Sequence, residues 1–294
     1  IPLLSSYACA IPGIMATRTI ANPRERLITI LVAPLASCSA RLPVYVMMIG
    51  VLLPGGIGGV WTKVAFMLGL YALGTVGMFL FAWLFHRGLR FGTGTTMILE
   101  LPPYRVPALR AVLLRLWERA RAFVTQAGTV ILVISILLWA ATSYPKPDAG
   151  DDTDRLTQSI AGQLGKQIEP LIEPLGYDWK MGIGLIASFA AREVFVSTMS
   201  ILYRADDPDE EGTRPLQTIL REQRRADGSP LFNGKTCLSM LVFYVFAMQC
   251  MGTLAITRRE TNSWKWPLFQ FGYLTVTAYL AALLVYQGAG LLGY

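Results

Sequence analysis

Four cysteines (Cys9, Cys38, Cys237 and Cys250) and one carboxylate (Glu193) lie in stretches of sequence that are otherwise apolar. Thiol sulfur is a soft ligand and carboxylate oxygen a hard one, so such groups brought together could bind a first-row divalent metal. Cys9 and Cys250 share a pattern. Each closes an apolar approach, each precedes a short Gly-containing stretch, and each is followed at the same offsets by arginine and leucine: Arg18 and Leu27 in one copy, Arg259 and Leu268 in the other. Two thiols paired about a pseudo-two-fold axis would form a soft-ligand constriction. The plainer reading, that cysteine is a small buried filler, weighs about as much as the constriction. Cys38 lies in Ser37-Cys38-Ser39 beside a helix break, where hydroxyls and unwound carbonyls add oxygen ligands. Cys237 opens an apolar run and reads as filler.

Glu193 sits in Phe189-Ala190-Ala191-Arg192-Glu193-Val194-Phe195, midway along an apolar run. A carboxylate at bilayer depth is costly unless it is paired or faces water, so it marks a functional position by default. The competing account is an ion pair with Arg41. Arg192 points about 100° away around a helix and is the weaker partner. Ser197, one turn on from Glu193, could share a cation with it.

These residues are carried by membrane-spanning elements. Hydrophobic residues make up 53% of the 294 and charged residues only 15%, against roughly 25% charged in a soluble domain. A soluble fold, a coiled coil, a disordered chain and a disulfide-stapled module are all excluded. The expected fold is an all-α, polytopic transmembrane bundle. Runs of about 20 apolar residues each suffice to cross a bilayer, and five plain ones are expected at 64–85, 123–143, 181–203, 238–257 and 268–287. Two more, 1–16 and 27–53, are interrupted by proline, glycine or polar residues and are expected as broken helices. The freed backbone groups of such breaks must be satisfied by protein or by an aqueous cavity.

Loop charge sets the expected orientation. Residues 86–121 hold seven arginines against two glutamates, which places that loop in the cytoplasm by the positive-inside rule. Residues 145–180, with four basic and seven acidic side chains, are expected outside. Parity then puts 204–235 inside. The same count sends the hinge after Cys9 inside and the hinge after Cys250 outside, as in an inverted repeat of two gate regions. The outward basic hinge goes against the positive-inside rule, and a re-entrant hairpin at 238–257 is the competing topology. The expected organisation is a first gate region over 1–60, a span over 61–86, a basic loop over 87–122 and a second gate region over 123–292. Within the loop, 106–123 reads as an amphipathic helix at the lipid headgroups, with Leu109, Val112, Leu113, Leu116 and Trp117 on one face.

Other signals fail. Gly234-Lys235-Thr236 resembles the end of a phosphate-binding loop, but Ser229 stands where its first glycine would be. His86 is the single histidine, which rules out a histidine-based triad or a multi-histidine zinc site. The basic balance is explained by one inner loop, so nucleic acid is not an expected partner.

Tyr7-Ala-Cys-Ala-Ile-Pro-Gly-Ile-Met-Ala-Thr-Arg-Thr-Ile20 and Ser37-Cys-Ser-Ala-Arg-Leu-Pro-Val-Tyr45 resemble the first gate of the ferrous iron transport protein B (FeoB) family. Leu101-Pro-Pro-Tyr-Arg-Val-Pro107 resembles its inner loop, and Phe189–Phe195 with Phe246-Ala-Met-Gln-Cys250 its second gate. The resemblance implies Fe²⁺ uptake across the bacterial inner membrane, with Cys9, Cys38 and Cys250 as pore thiols and Glu193 as the acidic gate residue. Fe²⁺ would be cargo, not a resident cofactor, and would pass between Cys9 and Cys250 to meet Glu193 near the midplane. Arg18, Arg41 and Arg259 would stabilise the gates as structural ion pairs. The family's GTP-binding domain has no counterpart in these residues, so GTP and Mg²⁺ would be handled elsewhere and no enzymatic activity is expected here. Expected partners are the bilayer, a GTPase domain, small cytoplasmic Feo accessory proteins and a second copy of the chain. Two other readings stay open: a scaffold that docks a GTPase without transporting, and a gate-fold permease for another small solute.

Overall fold

The computed structural model describes residues 2–53, 59–88, 108–123, 160–190, 192–204, 215–225, 228–248 and 250–291, with single positions between 125 and 140. The expected span 123–143 and large parts of the loops at 87–122, 145–180 and 204–235 lie outside the described residues. Regular structure among the described residues is helical, with one isolated bridge between Arg224 and Pro230.

Two hydrophobic helices are unbroken: α5 (Gly59–Gly88) and α13 (Lys265–Leu291). Two further spans are interrupted. The first joins α3 (Pro23–Val32) to α4 (Leu42–Leu52) through 33–41, and the second joins α11 (Gly234–Phe246) to α12 (Met251–Thr261) through 247–250. Both broken spans start on an asparagine cap. Asn22 Oδ1 accepts from Arg24 N, with Pro23 at the first helical position, and Asn233 Oδ1 accepts from Thr236 N. All four are long and apolar enough to cross a membrane. The broken spans are about 70% buried by the rest of the chain and the unbroken ones only 22%. The breaks are therefore wrapped in protein, as backbone satisfaction in hydrocarbon demands, and the intact helices lie on the outside of the described bundle.

Two hairpins complete the described bundle. α1 (Pro2–Ala8) and α2 (Ala10–Ala16) fold back on each other at Cys9. Gly13 makes this possible, since a Cβ there would strike Ser6 Oγ and come within 3.0 Å of Pro2 O. The second hairpin pairs α8 (Trp179–Ala190) with α9 (Val194–Arg204). Its two ends are joined, Lys180 Nζ donating to Leu202 O and Tyr203 OH to Asp178. The expected plain span at 181–203 is thus a hairpin that enters and leaves at one end of the bundle. The alternative hairpin at 238–257 is not what forms, because α11 and α12 run from one end of the molecule to the other.

The direction of each element follows from its terminal contacts. At one end, Arg24 donates to His86 O, Phe85 packs on Phe269 at 5.9 Å, and Arg26 reaches Glu260. These contacts gather the starts of α3 and α13 with the finishes of α5 and α12. At the other end, Arg221 on α10 (Leu216–Glu222) donates to Gly50 O and Val51 O, and Arg225 donates to Gly176 O beside α7 (Ile160–Ile172). Residues 215–232 thus share an end with 173–180. The two broken spans are antiparallel, each preceded by a hairpin. This is an inverted arrangement, but its partners are hairpin with hairpin and broken span with broken span, not Cys9 with Cys250.

On α6 (Leu109–Phe123), Leu109, Val112, Leu113, Leu116 and Trp117 are exposed among the described residues.

Candidate functional site

The breaks converge. Cys9 holds an extended backbone (φ −158°) between α1 and α2, and Cys250 does the same (φ −165°) before α12. Two residues on from each, Ile11 packs against Gly252, where an added Cβ would lie 3.0 Å from Ile11 Cδ1. The first-gate break joins them through Ser39 Oγ, which donates to Ala8 O at 3.0 Å. Cys38, Cys250 and Glu193 all lie within electrostatic range of Cys9. Cys38 is buried, Cys9 and Cys250 are half-buried, and Glu193 is exposed at the tip of the α8–α9 hairpin. Ser197 is also exposed and donates to Val194 O at 3.0 Å, so it shares the hairpin of Glu193 without approaching the thiols through any recorded bond. Cys250 Sγ contacts Thr253 Oγ1 at 3.5 Å. Cys237 is buried in the core at the start of α11, as a filler would be. Among the described residues no three His, Cys, Asp or Glu side chains form a group that could hold a metal ion. The array brings soft and hard donors into one region without closing on a resident ion.

The freed carbonyls of the breaks are met by buried donors. Arg41 is fully buried, and its guanidinium donates to Pro34 O (3.0 Å), Val245 O (2.9 Å) and Ala247 O (3.2 Å), with Ser37 Oγ at 3.4 Å. Arg192, at the hairpin tip, donates to Ala247 O at 2.7 Å and to Met248 O, and its guanidinium lies over the Tyr244 ring at 4.8 Å. The expected Arg41–Glu193 ion pair does not form. Main-chain oxygens released by the two breaks offer Arg41 several aligned acceptors, while Glu193 faces outward. On the other side of the first break, Gln270 Nε2 donates to Ile30 O and Leu31 O, and Tyr273 OH to Leu31 O at 2.6 Å.

The hinges also meet. Arg18 forms a two-pronged pair with Glu260 (Nε to Oε2 2.9 Å, Nη2 to Oε1 2.5 Å), and Arg26 Nη2 reaches Glu260 Oε2 at 2.7 Å. The carboxylate beside the Arg18 guanidinium holds that group's pKa above its ordinary value. Arg18 is therefore in an ion pair, whereas Arg259 has no carboxylate partner among the described residues. Because Arg18 and Glu260 touch, the two hinges lie at one end of the molecule, against their expected placement on opposite sides. The matched offsets after Cys9 and Cys250 reflect two helices, α2 and α12, running side by side in the same direction from cysteine to hinge.

Sequence reasoning passed over Arg192, Gln270, Tyr273 and Glu260 as site-forming residues. For Arg192, Gln270 and Tyr273 the available signal was a polar side chain inside an apolar run, because every unwound carbonyl at membrane depth needs a donor. For Glu260 it was a lone carboxylate in a basic hinge.

Buried broken spans, intact spans outside and hairpins reaching in from both ends define an integral membrane protein of gate architecture. A family profile described as nucleoside recognition (gate) matches residues 1–52 and 124–264, more than half of the chain, and the profile for the ferrous iron transport protein B C terminus matches 67–119. The chain belongs to the ferrous iron transport protein B family. It is 44% identical over 298 aligned positions to the Fe(2+) transporter FeoB of Leptospira interrogans serogroup Icterohaemorrhagiae serovar copenhageni, covering 98% of this chain and 42% of that protein. It is 35% identical to the Fe(2+) transporter FeoB of Staphylococcus aureus (98% and 40%). With the Fe(2+) transport protein A/Fe(2+) transporter FeoB fusion protein of Porphyromonas gingivalis it shares 34% identity (98% and 37%). The chain thus spans about two fifths of the length of these relatives. No solved structure matches it.

Proposed function

We propose that this chain is the gated permease portion of a ferrous iron uptake system in the bacterial inner membrane, with Cys9, Cys38, Cys250 and Glu193 as successive Fe²⁺ contacts. The observation that carries this reading is the meeting of four chain interruptions around Cys9, with two more thiols and a carboxylate in electrostatic range. Fe²⁺ is borderline between hard and soft and suits a mixed sulfur and oxygen path. A loose donor array fits a cargo ion, because conduction needs binding weak enough to be released.

The end bearing Arg18, Arg24, Arg26, Arg258, Arg259 and Lys265, with Arg87 in the last turn of α5 there, is the cytoplasmic end in this reading. The described residues 173–180 and 215–225 lie at the opposite end. The stretches 145–180 and 204–235 to which they belong together hold ten basic and fourteen acidic side chains, in keeping with the positive-inside rule. Fe²⁺ then enters past Glu193 and Ser197 on the outer hairpin, reaches the three cysteines, and leaves toward the hinges. The fusion relative supports an accessory protein of the transport protein A type as a cytoplasmic partner, and the nucleotide-binding step belongs to regions the chain does not span.

Purified chain in liposomes loaded with an Fe²⁺-quenched dye tests the reading. Wild type should admit Fe²⁺, and Glu193→Gln should slow entry at least tenfold with an unchanged thermal midpoint. Nucleoside uptake with no Fe²⁺ entry would favour the small-solute permease, and neither flux would favour a docking scaffold.

A further inference from the structure

In the orientation proposed above, the cytoplasmic end carries a cleft lined by none of the cysteines and not by Glu193. It lies where α12 gives way to α13, has a volume of about 420 Å³, and is lined by Ala255, Arg258, Arg259, Asn262, Ser263 and Trp264. Asn262 turns the chain with a left-handed backbone (φ 48°), which lets the two helices diverge and leaves the cleft open. The Arg258 guanidinium stacks on the Trp264 ring at 4.1 Å and is held in place by it. Glu260 is the one carboxylate in this turn, and it faces the other way. Its side chain is only 2% exposed and is fully engaged by Arg18 and Arg26. Arg258 and Arg259 have no carboxylate partner among the described residues, so the cleft presents two uncompensated guanidiniums beside serine and asparagine side chains.

We propose that this cleft binds the phosphodiester headgroup of an anionic phospholipid from the adjoining leaflet. Guanidiniums bind phosphate through paired N–H donors, and basic pockets at the cytoplasmic ends of membrane helices are suited to anionic headgroups. The cleft sits at headgroup depth, because α13 begins at Lys265 and is apolar from there onward. Trp264 is half-exposed at the same level, where indoles anchor to the interface. Ala255 supplies an apolar wall toward the acyl region. The proposal does not depend on which solute the chain transports.

Native mass spectrometry of the detergent-purified chain, titrated with phosphatidylglycerol, phosphatidylcholine or inorganic phosphate, tests it. Wild type should retain one phosphatidylglycerol at least tenfold more tightly than phosphatidylcholine. The double variant Arg258→Gln/Arg259→Gln should lose that preference at an unchanged thermal midpoint, and Arg258→Lys/Arg259→Lys, which keeps the charge but not the paired donors, should retain part of it. If the double glutamine variant is less stable, the lysine pair alone decides: weakened but selective binding supports the site, and full wild-type affinity contradicts it. Equal retention of the two lipids by wild type overturns the proposal. So does displacement of phosphatidylglycerol by millimolar inorganic phosphate, which would assign the cleft to free phosphate.

Discussion

Arg192 shows how much depends on one side chain. It stands next to the exposed Glu193, yet its own guanidinium is buried and holds Ala247 O and Met248 O, two residues before Cys250. Each buried carbonyl left without a donor costs about 1–3 kcal/mol. Ala247 O keeps Arg41 as a donor, so Arg192→Ala strips Met248 O alone. It should lower stability by about 1–3 kcal/mol, read as a drop in the thermal midpoint in detergent, and Arg192→Lys should restore only part of it because one ammonium cannot match the fork. An unchanged midpoint for Arg192→Ala would mean that Met248 O is satisfied by another group. The candidate ligands Cys9, Cys38, Cys250 and Glu193 were legible in the sequence, since each is a chemically active residue in apolar surroundings. The donor role of Arg192 was not, because nothing in Ala-Ala-Arg-Glu-Val says that the helix stops there. No proline or glycine interrupts it, and only the acceptors in the 247–250 interruption explain the break.

Among the elements, proline, glycine and the Ser-Cys-Ser run exposed the first-gate breaks, and unbroken apolar length exposed α5 and α13. The second-gate breaks carry no such punctuation and emerged only with the tertiary contacts. The α8–α9 hairpin is stapled at its base by Asp178, whose Oδ1 caps α8 by accepting from Met181 N at 2.8 Å and also accepts from Tyr203 OH at 3.0 Å. Burial pushes the Asp178 carboxyl above its ordinary value, although the Met181 and Tyr203 donors pull the other way. A neutral isostere should therefore serve. Asp178→Asn should keep the thermal midpoint within a few degrees, while Asp178→Ala should cost about 1–2 kcal/mol through loss of the cap. For the other hairpin, Gly13→Ala should destabilise by about 1–3 kcal/mol, the usual cost of overpacking, read by the same melting measurement. Tolerance of alanine would show that α1 and α2 are not held as closely as Gly13 allows.

For the whole molecule, one hairpin decides the topology. Counting 181–203 as a crossing inverts every later loop, which is how parity put 204–235 inside and the second hinge outside. Counted as a hairpin, it leaves both acidic-leaning loops at one end and both basic hinges at the other, and the charge conflict disappears. In an otherwise cysteine-free chain, a single cysteine at Ser229 should react with a membrane-impermeant maleimide added outside intact cells, and one at Ser263 only after permeabilisation. The reverse pattern would overturn the proposed orientation.

The central claim is that Fe²⁺ passes the thiols that immediately precede α2 and α12, two helices that share one direction and one register. Dye-quench influx into liposomes, compared between wild type and Cys9→Ser/Cys250→Ser reconstituted at equal folded amount, tests it most directly. The account predicts that the double variant loses Fe²⁺ influx at least tenfold. Influx equal to wild type would show that the two cysteines are packing residues and that iron takes another route.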